Sequence, residues 1–188
     1  KFRDINGDGT INEEDYTTIG NPWPKWVYGF NLNFGYKGFD LSMNFQGVYD
    51  IDVYNTTKQS MENMYSDWNS TAKAFDAWSP ANTGSSQPRM GNSSHNYGLA
   101  NSYMVEDASY LKLKNLQLGY SFSPKMLNKI GMQSLRIYAS MINVFTITDF
   151  SGFDPEFMSG NNYSRGVYNM TNIYPQSRSY AMGINIGF

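Results

Sequence analysis

Asp4, Asn6, Asp8, Thr10, Asn12 and Asp15 stand at positions 1, 3, 5, 7, 9 and 12 of a twelve-residue run, with Gly9 at the sixth, where the chain must turn sharply. That spacing is the EF-hand arrangement. A hard cation takes about six or seven oxygens, and a tightly wound loop supplies them from alternate side chains and one backbone carbonyl, here that of Thr10. The chemistry predicted is structural Ca2+ binding that rigidifies residues 1–25 ahead of Trp26. Asp15 replaces the glutamate usual at the last position and reaches less far. The alternative is an Asx/Gly turn without an ion, common on surfaces.

Other chemistry is sparse. Tyr65, Trp68, Trp78, His95 and Tyr97 offer aromatic platforms to sugar rings, or pack their own loop. Thr57 to Tyr65 fits a short helix, and Gly84-Ser85-Ser86 a flexible tip. There is no nucleophile elbow, no His-paired Ser and no phosphate-cradling Gly loop, and Glu106 and Asp107, being adjacent, would point to opposite faces of a strand. No enzyme is expected. One histidine and no cysteine exclude two-histidine and thiolate metal sites, and a net charge of -2 without a Lys/Arg cluster argues against nucleic acid.

The elements that position these residues are strands. From Trp26 to Tyr36 the even positions are Trp, Tyr, Phe, Leu, Phe and Tyr, against Val27, Gly29, Asn31, Asn33 and Gly35. Lys37-Gly38 makes a hairpin into residues 39–49, where Phe39, Leu41, Met43, Phe45 and Tyr49 alternate with polar residues. A third strand, 110–122, changes phase between Leu113 and Leu116, which a bulge near Lys114-Asn115 would absorb. A fourth, 134–148, carries Leu135, Ile137, Ala139, Met141, Phe145 and Ile147 on one side, and a fifth, 178–188, carries Tyr180, Met182, Ile184, Ile186 and Phe188. Short connections at 37–38 and 123–133 alternate with long ones at 50–109 and 149–177.

A soluble antiparallel sandwich also alternates. Three features favour instead an all-β transmembrane antiparallel up-and-down barrel, of which residues 26–188 hold the last five strands. The strands are long enough to cross a tilted hydrocarbon layer. Aromatics gather at the stripe ends, as interfacial girdles do. The other face is Gly, Ser, Asn and Gln, which suits a wet lumen, and short turns on the periplasmic side with long loops outside fit the same picture. Five strands cannot close, so the remainder of the barrel must cover both edges. The chain reads as a fragment.

Several segments resemble the carboxy-terminal end of the SusC/RagA class of TonB-dependent outer-membrane transporters: Asp4-Ile5-Asn6-Gly7-Asp8-Gly9, Ile19-Gly20-Asn21-Pro22, Tyr36-Lys37-Gly38-Phe39-Asp40-Leu41-Ser42, Trp78-Ser79-Pro80, Val105 to Asn115, Asn143-Val144-Phe145-Thr146 and Gly152-Phe153-Asp154-Pro155. The resemblance implies a barrel of about 22 strands with a plug in its lumen. It also implies a SusD-like surface lipoprotein as partner, energy from TonB-ExbB-ExbD through a plug segment absent here, and import of oligosaccharides or peptides across the bacterial outer membrane. The stripe from Tyr180 to Phe188 resembles the signal read by the barrel-assembly machinery, and would also meet outer-membrane lipid. The rival expectations are a passive porin and a soluble, dockerin-like calcium-loop module, though the latter needs a second carboxylate loop and none occurs.

Overall fold

The computed structural model describes residues 2–62, 69–89, 100–157 and 165–188. Among them eight strands succeed one another: β1 (Trp26–Tyr36), β2 (Phe39–Tyr49), β3 (Asp52–Asn55), β4 (Val105–Asp107), β5 (Tyr110–Ser121), β6 (Ser134–Thr148), β7 (Val167–Tyr168) and β8 (Ser179–Gly187). They belong to two compact units.

The first unit, Pro24–Asp50 with Ala108–Phe150 and Pro175–Phe188, is one antiparallel sheet in the order β1-β2-β5-β6-β8. Its register explains the stripes. Phe30 pairs with Phe45, Leu41 with Leu118, Leu118 with Ala139 and Ala139 with Met182, and directly opposed residues share a face. The apolar sets of all five strands therefore form one continuous surface. The opposite face carries the row Asn33, Ser42, Gln117, Ser140 and Ala181 and the row Gly35, Asp40, Gly119, Tyr138 and Gly183.

The phase change in β5 is absorbed where expected. Asn44 pairs with Asn115 but Phe45 with Leu113, leaving Lys114 as the extra residue and returning Leu111 and Leu113 to the apolar face. In β6 the matching irregularity falls at Asn143, whose φ is 54°.

Lys37 and Gly38 both have positive φ, at 47° and 89°, as a two-residue hairpin of matching twist requires. A Cβ on Gly38 would lie 2.6 Å from the Ser121 carbonyl oxygen, so only glycine fits. The second short connection holds a helical turn, Pro124–Leu127, and ends on Gly131 at φ 72°. Both long connections leave from the other end of the sheet, after Tyr49 and Thr148.

The second unit gathers residues Lys1–Trp23, Ile51–Asp107 and Ser151–Tyr174. Here the amino-terminal segment packs with both long connections. These hold a small sheet, β4-β3-β7, with β3 antiparallel to β4 and parallel to β7. Strands of two to four residues are too short to show a period, which is why the sequence reads there as loop.

Within this unit Asn21 N–H donates to Asp52 Oδ2 at 2.9 Å, and Asp52 N–H returns a bond to the Asn21 carbonyl at 2.9 Å. The Arg165 guanidinium lies 4.1 Å from the Trp23 ring centre. Val53, Met104 and Tyr168 are buried, and Phe157 meets Tyr168 edge-on at 5.1 Å.

The helix expected over 57–65 is α1 (Thr56–Met61), capped by Asn55, whose Oδ1 accepts the Lys58 N–H at 3.0 Å. Its expected end lies outside the described residues. The tip at Gly84-Ser85-Ser86 is tied rather than free, since Ser85 Oγ donates to the Asp76 carbonyl and Asn82 Nδ2 to Asp76 Oδ1 at 2.9 Å.

Candidate functional site

The carboxylate loop winds on itself through its own backbone. Asp4 Oδ1 accepts the Gly7 N–H at 2.6 Å and Oδ2 the Gly9 N–H at 2.8 Å. Asn6 Oδ1 accepts from Asp8 N–H and Asp8 Oδ1 from Thr10 N–H, at 3.0 and 2.7 Å. Gly7 and Gly9 make this winding possible with φ of 80° and 83°. Asn12 caps a short 3-10 turn, Glu13–Asp15, by accepting the Glu14 N–H at 2.7 Å.

Asp15 folds back over the start of the loop. Its carboxylate accepts N–H groups from Asn12 at 3.0 Å and Ile5 at 2.6 Å, and these bonds hold its pKa below the ordinary carboxylate range. All six expected ligands therefore lie on one wound loop. Their donor atoms are oxygens suited to Ca2+. Among the described residues, however, no group of three or more His, Cys, Asp or Glu side chains is placed to hold a metal ion. The oxygens of Asp4, Asp8 and Asp15 instead engage backbone N–H groups.

A buried polar cluster pins the long connections. Glu106 on β4 accepts Ser151 Oγ at 2.7 Å and Asn55 Nδ2 at 3.2 Å, and its other oxygen meets the Lys58 ammonium at 3.2 Å. Burial works against the charged form of Glu106, but Ser151, Asn55 and Lys58 together outweigh it and hold the carboxyl below the ordinary glutamate range. Lys58 also lies 4.3 Å from the centre of the Tyr103 ring. Glu62, 5% exposed, takes a bond from Tyr103 Oη at 2.6 Å and an ion pair with Lys73 at 2.6 Å.

The cluster was not foreseen, because its members are scattered from Asn55 to Ser151. The sequence offered only that Glu106 and Asp107, being adjacent, would point to opposite faces of a strand. Of the aromatic platforms, Trp78 is half-buried and pairs its backbone with Gln87 at 3.2 Å. Tyr65, Trp68, His95 and Tyr97 lie outside the described residues.

On the polar face of the large sheet, Arg136 grips Asp40 with two bonds, Nη2 to Oδ2 at 2.6 Å and Nε to Oδ1 at 3.1 Å. The pair spans the intervening β5 over Gly119, where a Cβ would stand 2.5 Å from both the Arg136 Nη2 and the Asp40 Oδ1. Tyr138 lies over Gly183 in the same way. Short amide bonds, such as Asn44 Nδ2 to Asn31 Oδ1 at 2.6 Å, continue this hydrophilic wall.

The apolar face is the reverse. Phe30 and Phe45 stack at 4.7 Å, and Phe39, Tyr120 and Phe122 cluster at the short-turn end. Tyr180, Met182, Ile184 and Ile186 pair with Met141, Ala139, Ile137 and Leu135, and all four stand exposed, as does Phe188 beyond the end of β8. The large sheet thus presents one apolar and one polar face.

No family model matches the chain. It is 36% identical to the TonB-dependent receptor P3 of Formosa agariphila, over all of this chain and 19% of that protein. It is 29% identical to the TonB-dependent receptor SusC of Bacteroides thetaiotaomicron, over all of this chain and 17% of that protein. The RagAB peptide importer in its open-open state superposes with a TM-score of 0.73 at 28% identity, over 88% of this chain and 17% of that one. The chain thus spans about a fifth of the length of the curated relatives it matches.

Proposed function

Since this chain belongs to the SusC/RagA class of TonB-dependent receptors, as a carboxy-terminal part of the barrel, we propose that the whole protein imports oligosaccharides or peptides across the bacterial outer membrane. The observation that carries the proposal is the continuous apolar face of the large sheet. Met182, Ile184 and Ile186 are 90%, 65% and 49% exposed. Moving the exposed parts of these three side chains into lipid would recover about 3–6 kcal/mol. Edge strands β1 and β8 leave backbone groups that lipid cannot satisfy, so further strands of the same barrel close onto them.

In this proposal the polar face lines the lumen and contacts a plug, and the short turns at 37–38 and 123–133 face the periplasm. The unit built from the long connections lies outside the cell, where a SusD-like lipoprotein covers it. TonB-ExbB-ExbD drives transport through a segment elsewhere in the protein. The likeness to the RagAB peptide importer supports a peptide cargo, and the half-buried Trp78 remains the one described aromatic platform for a sugar. The stripe from Tyr180 to Phe188 serves first as the assembly signal and afterwards as lipid-facing wall.

Uptake of labelled oligosaccharide and peptide mixtures by cells carrying the whole protein tests this. Uptake lost on deletion of TonB supports an energised importer, and uptake that persists identifies a passive porin.

We further propose that the loop from Asp4 to Asp15 takes up Ca2+, with Asp4, Asn6, Asp8, Asn12 and Asp15 contributing side chains and Thr10 its carbonyl. The ion supplies rigidity and no reaction step. Terbium luminescence sensitised by the loop's surroundings and quenched by excess Ca2+ is the expected result. Unchanged hydrogen exchange over residues 4–15 when chelator is added would contradict it.

A further inference from the structure

The geometry points to a binding site for an anionic phospholipid of the periplasmic leaflet on the outer wall of the sheet, with an acyl chain over Ala139 and the headgroup phosphate on lysines of the short turns. This rests on the membrane orientation proposed above. Along the apolar face, Ala139 is the small residue in a row whose neighbours are Leu118 and Met182. The next row toward the short turns is Tyr120, Ile137 and Ile184. At Ala139 the wall steps down into an open depression of about 560 Å3, walled by Phe39, Leu118, Ile137, Met182 and Ile184. It holds no charged side chain, which suits hydrocarbon and not a polar ligand.

The depression lies next to the aromatic girdle of Phe39, Tyr120 and Phe122. Beyond that girdle the two short connections contribute Lys37, Lys125 and Lys129 and no acidic residue. None of the three forms an ion pair among the described residues. Asp40, the nearest acid in sequence to the hairpin, is already engaged by Arg136. Lys37 is also aimed correctly: its ammonium lies 5.1 Å from the centre of the Tyr36 ring, and Tyr36 belongs to the apolar face. A cation held on a girdle ring, with a chain-sized depression on the hydrocarbon side of that girdle, matches the two ends of one anionic lipid. The charge favours an anionic headgroup over a zwitterionic one.

The test uses the whole transporter, purified in detergent, exchanged into mixed phosphatidylglycerol and phosphatidylcholine, and stripped stepwise before native mass spectrometry. The wild type should retain phosphatidylglycerol selectively. Replacing a lysine by glutamine (K37Q, K125Q, K129Q) should weaken retention roughly fivefold each. Ala139→Phe, which narrows the depression while staying apolar, should sharply weaken retention without changing heat-modifiable migration in gels, the sign of a folded barrel. Equal retention by wild type and A139F, no preference between the two lipids, or retention of lipopolysaccharide in place of phospholipid would overturn the site while leaving the barrel standing. A whole protein without heat-modifiable migration would overturn the barrel itself.

Discussion

Replacing Glu106 by glutamine should loosen the unit built from the long connections while leaving the large sheet intact. The side chains of Lys58 and Glu106 are only 14% and 13% exposed, so their pair is shielded from water. Removing one partner of such a pair costs about 3–5 kcal/mol, because the remaining charge stays buried. Here Lys58 keeps the Tyr103 ring at 4.3 Å, a contact worth about 1–2 kcal/mol. Glutamine can still accept from Ser151. The net loss is then about 2–3 kcal/mol, or roughly 30- to 150-fold in the local opening equilibrium.

Hydrogen exchange followed by mass spectrometry on the whole protein reads this directly. Peptides covering β3, α1 and β4 should exchange faster by that factor, and peptides covering β2, β5 and β6 should not change. Pairing Glu106→Leu with Lys58→Met removes both charges and should restore most of the protection. Exchange in β3 and α1 within twofold of the wild type for Glu106→Gln would refute the assignment of the cluster as the pin of this unit.

Three further outcomes follow from the geometry. Because Glu106 has its pKa lowered from 4.5, its stabilisation is complete above the ordinary glutamate range and is lost as pH falls through the lower folded-state value. Protection of β3 and β4 should therefore fall only below about pH 4.5, and Glu106→Gln should flatten that dependence. Gly38→Ala places a Cβ 2.6 Å from the Ser121 oxygen at φ 89° and should cost at least about 1–2 kcal/mol, seen as a smaller heat-resistant fraction in the outer membrane. Gly119→Val drives a side chain between Arg136 and Asp40 and should lower that fraction further, whereas Ser42→Thr, on the same face, should not.

The large sheet was legible in the sequence because its strands are long: nine to fifteen residues of alternation outlast local noise, and even the bulge at Lys114 showed as a change of phase. The EF-hand spacing likewise put Asp4 to Asp15 on one loop. What it could not convey is where those oxygens point, since the residues proposed to ligate an ion satisfy the N–H groups of Gly7, Gly9 and Asn12. The small sheet and its buried cluster were illegible for a different reason. Asn55, Glu106 and Ser151 meet only through tertiary packing, and no local pattern encodes a contact 96 residues apart in sequence.

The central claim is that the Tyr180, Met182, Ile184 and Ile186 face meets lipid and the Ser179, Ala181 and Asn185 face meets water. These 188 residues contain no cysteine, so single cysteines at 179–186 of the whole protein can each carry a spin label without local competition. In a bilayer, collision with oxygen should be high at 182, 184 and 186 and low at 179, 181 and 185, while collision with a water-soluble nickel chelate should show the opposite alternation. Labels that meet the nickel chelate equally at every position would contradict the account.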